Sequence, residues 1–141
     1  MFLLDTNVVS ELRNPRRADR NVLQWADSTP ASRFYLSAVS LMELEHGILL
    51  MERKDQAQGS MLCDWFNDQV LLRFEGRVLP FDTAAARTCA RLHVPDRRSD
   101  RDAMIAATAL VHGMTVATRN TNDFAATGVA LVNPWAVRIP G

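Results

Sequence analysis

Short apolar runs alternate with helix-period stretches from one end of this chain to the other, and that alternation limits the fold more than any other feature. FLLD at 2–5 reads as a short buried strand ending in an acid, followed by a helix over 6–13 that Asn14-Pro15 stops. A second helix fits 19–27, with Val22, Leu23 and Trp25 inward, and a loop at 29–32 leads into a strand at 34–38. Ser40 to Glu43 opens the next helix, with Leu44, Ile48 and Leu49 on its apolar side. That helix breaks near Lys54-Asp55, with Gly59 at a joint, and Met61, Leu62, Trp65, Phe66 and Val70 continue at helical spacing over 60–72. Residues 77–81 read as a third strand, and Asp82 caps a helix reaching about Leu92. After a polar loop at 93–99, residues 100–112 are helical and Gly113 ends them. Residues 115–118 form a fourth strand, 119–128 a loop or short helical turn, and 130–132 a last strand. Strands joined through helices predict an α/β domain whose mostly parallel sheet is covered on both faces. No repeat, linker or low-complexity segment interrupts the pattern, so a single domain over 1–141 is expected. A hydrophobic fraction of 48% is enough for one core at this length.

In open sheets of this kind, ligands bind beyond the carboxyl ends of the strands. Acidic residues recur at those places. Asp5 ends the first strand, Glu43 falls on the first turn of the helix after the second, and Asp102 falls on the first turn after the 93–99 loop. Thr118, Arg119, Asn120 and Asp123 follow the fourth strand. Each acid also has a plain structural explanation. Asp-Thr-Asn is good turn material. Ser40-x-x-Glu43 is a formal capping box, and Ser99-x-x-Asp102 fits helix-start chemistry. Their recurrence after successive strands carries more than any one of them. Several carboxylates in one cavity repel each other unless a cation sits among them. Oxygen-only donors favour Mg²⁺ or Mn²⁺, and such ions activate water and polarise phosphoryl oxygens.

Composition narrows the alternatives. Lys+Arg and Asp+Glu both number 16, so no net charge draws the whole chain to nucleic acid. All the basic residues except Lys54 are Arg, whose planar fork suits phosphates. Arg13, Arg16, Arg17 and Arg20 form one basic stretch, and Arg97, Arg98 and Arg101 another beside Asp102. Both read either as solvated faces or as a track for an RNA backbone. Cys63 and Cys89 show no disulfide or zinc spacing and are expected as buried free thiols. His46, His93 and His112 lack ligand spacing, and Trp25, Trp65 and Trp135 are expected as packing anchors. No run approaches the about 18 apolar residues of a spanning helix. A cytoplasmic protein without a membrane segment is expected.

Four segments together, LLDTNVVSEL, YLSAVSLMELEHGI, DAMIAATA and VATRNTNDFAATGVALVNPW, resemble the PIN-domain family, and within it the VapC/FitB-type toxins of bacterial toxin–antitoxin pairs. The resemblance spans essentially the whole chain. It implies a three-layer α/β/α sandwich and a Mg²⁺- or Mn²⁺-dependent endoribonuclease, with Asp5, Glu43 and Asp102 matching the family's first three acids. It also implies a homodimer silenced by a small DNA-binding antitoxin, which commonly inserts a basic residue into the acidic pocket. The chain departs from the pattern at the fourth acid: Asn120 stands where relatives often carry Asp, and Asp123 follows three residues on. On this reading Asp5 and Asp102 hold the ion, and Glu43 holds it or orients water. Asn120 and Asp123 complete the polar shell. Thr6, Thr118, Arg119 and the Arg97, Arg98 and Arg101 cluster face phosphate. Two rivals remain. One is a phosphatase with Asp5 as nucleophile, although Asn7 stands where a second Asp is wanted. The other is a degenerate, non-catalytic partner-binding module.

Overall fold

The computed structural model describes residues 1–137. The domain expected over 1–141 includes 138–141, which lie outside the described residues. The strands are β1 (Phe2–Leu4), β2 (Phe34–Ser37), β3 (Val78–Leu79), β4 (Thr115–Ala117) and β5 (Leu131–Val132). They form one sheet in the order β3-β2-β1-β4-β5, and every pairing is parallel. β1 and β2 run almost directly into helices, which begin at Thr6 and Ala38.

Helices α1 (Thr6–Leu12) and α2 (Arg20–Asp27) connect β1 to β2. The long α3 (Ala38–Lys54) and α4 (Gln56–Trp65), the latter running into a π-helical turn at Phe66–Leu71, connect β2 to β3. Helices α5 (Thr83–Leu92) and α6 (Asp100–His112) return the chain across the sheet to β4, and α7 (Thr121–Phe124) precedes β5. Connections made in opposite directions from the centre place their helices on opposite faces when crossovers are right-handed. The core divides accordingly. Leu4, Leu36 and Ala117 face Val8, Trp25, Leu44, Ile48, Phe66 and Val70. Their strand neighbours Leu3 and Val116 face Ile105, Ala106, Ala109 and Phe124 on the other side. The period-two alternation of the central strands thus separates two cores, giving three layers. Ala103, Ala106, Ala107 and Ala109 of α6 are fully buried, and such small side chains let that helix lie close to the sheet.

Several local readings change. Ser37, not Ser40, caps α3: its Oγ accepts the Ser40 amide at 3.0 Å. Glu43 therefore lies on the second turn, and the capping box does not form. The break at Asp55 is real, since Asp55 caps α4 through the Gln58 amide. Gly59 lies inside α4 rather than at that joint. A Cβ there would stand 2.5 Å from the Glu52 Cα, so the glycine permits close approach of α3 and α4. Gly59→Ala is expected to cost about 1–3 kcal/mol through overpacking, read as a lower urea midpoint at unchanged slope. Leu49 and Met61, expected inward, are 53% and 73% exposed, because Leu44, Ile48 and Phe66 already fill the inward stripe. Cys89 is buried and Cys63 only half-buried, and both are free thiols. Gly113 ends α6 in the left-handed conformation at φ 64°, as the sequence requires. Trp25 is a core anchor, packed at 5.2 Å against both Phe2 and Phe34.

Candidate active site

The central strands β1 and β4 are neighbours from which the chain leaves in opposite directions, so the sheet's switch point lies between them. A crevice opens beyond their carboxyl ends at such a point. Asp5 follows β1 and Thr118 follows β4, so both stand at its mouth.

Asp5 is 7% exposed, and its two oxygens have separate duties. Oδ1 accepts the Thr6 amide at 2.8 Å and caps α1. Oδ2 accepts the Thr118 hydroxyl at 2.7 Å. The capping explanation for Asp5 is therefore correct and incomplete, because one carboxylate does both jobs. Thr118 is fully buried, so its hydroxyl serves Asp5 and does not reach a phosphate. The same oxygen receives the Asn120 amide at 3.0 Å and Asn7 Nδ2 at 3.4 Å. Asn7 also donates to Asp5 Oδ2 at 3.4 Å, and its Oδ1 accepts the Arg119 amide at 3.5 Å. Asn7 ties the end of β1 to the end of β4. By sequence alone Asn7 is turn material and an argument against a phosphatase. Its signal was an amide two residues after a strand-end acid, on a short helix at the sheet's carboxyl edge.

Glu43 approaches from α3. Its Oε1 lies 3.4 Å from Thr6 Oγ1, and its Oε2 lies 3.4 Å from Arg101 Nη1. Asp102 sits on the first turn of α6, whose cap residue Ser99 makes no side-chain bond to the helix amides. Asp123 is exposed on α7 and is positioned by its neighbour Phe124, which is fully buried. Asn120 is exposed and brings its backbone amide to Thr118. The basic candidates have partners within the chain. Arg97 pairs with Asp100 at 3.0 Å, and Arg98 Nε donates to the Leu92 carbonyl at 2.7 Å. Arg119 lies 5.2 Å over the Trp135 ring. His93 has a structural duty, its Nδ1 accepting the Arg98 amide at 3.0 Å.

The acids feel one another. Burial raises the Asp5 carboxyl above its ordinary 3.8; the bonds from Thr118 and Thr6 pull it down, and the Asp123 charge adds to the rise. Burial likewise raises Asp102, helped by the charges of Asp5, Asp123 and Glu43 and opposed by Ser99. Four acids from four separate segments thus share one field. The donor set is all oxygen, and its excess negative charge is of the kind a hard divalent cation neutralises. Among the described residues, no three His, Cys, Asp or Glu side chains stand close enough to form a ready coordination cluster. The fit to such a cation therefore rests on donor chemistry and field. A separate, largely apolar cavity of about 500 Å³ lies between α1, α2 and the π-helical turn. None of the four acids lines it.

Both raised carboxyls bind protons more tightly in the folded chain than in the unfolded one. Their ionisation opposes folding, and the cost appears as pH rises from the ordinary 3.8 through the raised values. A bound cation offsets that cost only where the groups are charged. The gain in melting temperature from Mn²⁺ is expected to be larger near about pH 7.5 than near about pH 5. Equal gains at both would contradict it.

An all-parallel α/β/α domain with an acidic crevice at its switch point defines a narrow class. The chain belongs to the PIN-domain family, whose model matches residues 2–130. It is 40% identical over 140 residues to VapC ribonuclease Y4jK of Sinorhizobium fredii, covering 96% of this chain and 98% of that protein. It is 41% identical over 142 residues to Toxin FitB of Neisseria gonorrhoeae, covering 96% and 99%. The crystal structure of FitAcB from Neisseria gonorrhoeae matches with a TM-score of 0.88 at 37% identity, over 97% of this chain and all of that one. The expected α/β/α sandwich is therefore correct. Among the described residues, no helix is long and apolar enough to cross a membrane.

Proposed function

We propose that this chain is the toxin of a toxin–antitoxin pair and hydrolyses phosphodiester bonds in a cellular RNA with the help of Mg²⁺ or Mn²⁺. The observation that carries the reading is the placing of acids from separate segments about the β1/β4 crevice, where Thr118 fixes the buried Asp5 carboxylate and Glu43 reaches the neighbouring Thr6. Relatives named as a VapC ribonuclease and Toxin FitB support it. When bound, the cation polarises a phosphoryl oxygen and lowers the pKa of water.

The residues of the chain have distinct tasks. Asp5 and Asp102 hold the ion. Glu43 holds it or takes up a proton from the attacking water. Asp123 supplies the fourth charge, because its field reaches both Asp5 and Asp102. Asn120 lends the site only its polar shell. Thr118 and Asn7 are positioning residues that fix the Asp5 carboxylate. Arg119, exposed at the same edge, contacts the RNA backbone, as does Thr6 at lower cost to its weak bond to Glu43.

The antitoxin partner is inferred from neighbours such as FitAB bound to IR36 DNA fragment, to which this chain is 37% identical. A net charge of zero supports DNA contact through the antitoxin rather than through this chain. A cytoplasmic homodimer and a single nuclease domain over the full length complete the proposal. The test is expression without a partner, scoring growth and mapping RNA ends. Toxicity with defined new ends, lost in Asp5→Ala and Asp102→Ala, is expected. Variants as toxic as the parent overturn the assignment.

A further inference from the structure

Arg101 directly precedes Asp102 and was expected to face RNA. The fold sends it to Glu43 instead: Nη1 lies 3.4 Å from Oε2. The other Glu43 oxygen faces Thr6 Oγ1, also at 3.4 Å. Both oxygens therefore have a donor, and one donor carries a full positive charge. Among the described residues, this is the one ion pair that any of the four acids makes. The Arg101 side chain is 50% exposed and that of Glu43 22%, so the pair sits at the rim of the pocket. Ion pairs this exposed are weak and readily exchanged.

We propose that Arg101 is the resident counter-charge of the acidic pocket, competing with the divalent cation for Glu43 and so setting the cation concentration at which the site fills. This rests on the reading that the pocket takes such a cation. The argument is one of charge. Asp5, Glu43 and Asp102 all bring carboxylates to the proposed pocket, and like charges gathered there repel one another. A guanidinium on Glu43 relieves part of that repulsion without any metal, and a metal at the same carboxylate must then work against a like charge. An Arg101 that merely held the Glu43 rotamer would give the opposite sign, because its loss would disorder a ligand and weaken binding. The direction of the change therefore separates the two roles.

The experiment is calorimetric titration of Mn²⁺ into the purified full chain without RNA. Arg101→Gln is expected to bind about five- to tenfold more tightly than the parent, with the difference shrinking as salt is raised toward about 1 M. Arg101→Lys keeps the charge and is expected to stay within about twofold of the parent. In a Glu43→Gln background the gain from Arg101→Gln should fall, since the pair is already broken. Arg101→Met repeats the sign test without a hydrogen-bonding head, and thermal melts show that each variant is folded. Unchanged or weaker binding in both neutral variants overturns the proposal while leaving the metal reading intact. A folded parent that binds no Mn²⁺ overturns the metal reading, and this proposal with it.

Discussion

Asp102→Asn is expected to slow RNA cleavage severely while making the cation-free protein more stable. Burial and the charges of Asp5, Asp123 and Glu43 all oppose ionisation of Asp102. The amide removes that repulsion in nearly the same shape. At neutral pH, where the parent bears the cost of the charge, the melting temperature without metal should therefore rise. Catalysis moves the other way. Loss of one carboxylate from the proposed cation site should lower the cleavage rate on the order of 10³-fold, the scale of removing one preorganised electrostatic contact. Mn²⁺ should also no longer raise the melting temperature as it does in the parent. Opposed changes in stability and activity are what a site built for function at the expense of the fold produces. A variant less stable than the parent and still active would mean that Asp102 serves helix α6 rather than the chemistry.

Thr118→Val should be damaging for a different reason. Valine matches the shape of threonine, so packing between β1 and β4 is kept. The hydroxyl it removes has three partners: it donates to Asp5 at 2.7 Å and accepts from the Asn120 amide and Asn7. All of this happens at a fully buried position. Without the donor, the buried Asp5 carboxylate loses its shortest bond and one of the two influences that lower its pKa. A loss of about 2–4 kcal/mol is expected at neutral pH, measured by urea unfolding. The loss should shrink at acidic pH, where Asp5 is protonated and the donor matters less. Cleavage should fall as well, because Asp5 is no longer held in one orientation. Thr118→Ser retains the hydroxyl and should recover most of both quantities. A valine variant as stable and active as the parent would remove Thr118 from any role in positioning Asp5.

These expectations draw on two kinds of information. The four acids were legible in the sequence because each follows a strand or opens a helix, where strand alternation and helix starts place side chains at one edge. Their partners were less legible. Asn7 looked like turn material, and its link to Thr118 and Arg119 crosses more than a hundred residues. Arg101 looked like part of a basic cluster, and only the approach of α3 to α6 gives it Glu43. Glu43 looked like a capping residue because Ser40 precedes it by three. The helix starts earlier, at Ser37, where the strand's last residue turns and its hydroxyl takes the free amide. The apolar pattern does not mark where a strand gives way to a helix, as at Ser37, because a side-chain cap made in the fold decides it.

By itself the sequence determined the layered α/β architecture, the buried central strands and the acids at their ends, because period-two and period-3.6 patterns fix which side chains face a core. The strand order was decided only in three dimensions. Placing β4 beside β1 creates the crevice between connections that leave in opposite directions, and that adjacency brings Thr118 to Asp5. It also sets the surroundings of each polar group. Burial and neighbouring charge raise Asp5 and Asp102, while Asn120 is exposed. Asp123 acts on both acids through its field. Local pattern cannot specify such distances, because they arise from segments far apart in the chain packing against one sheet.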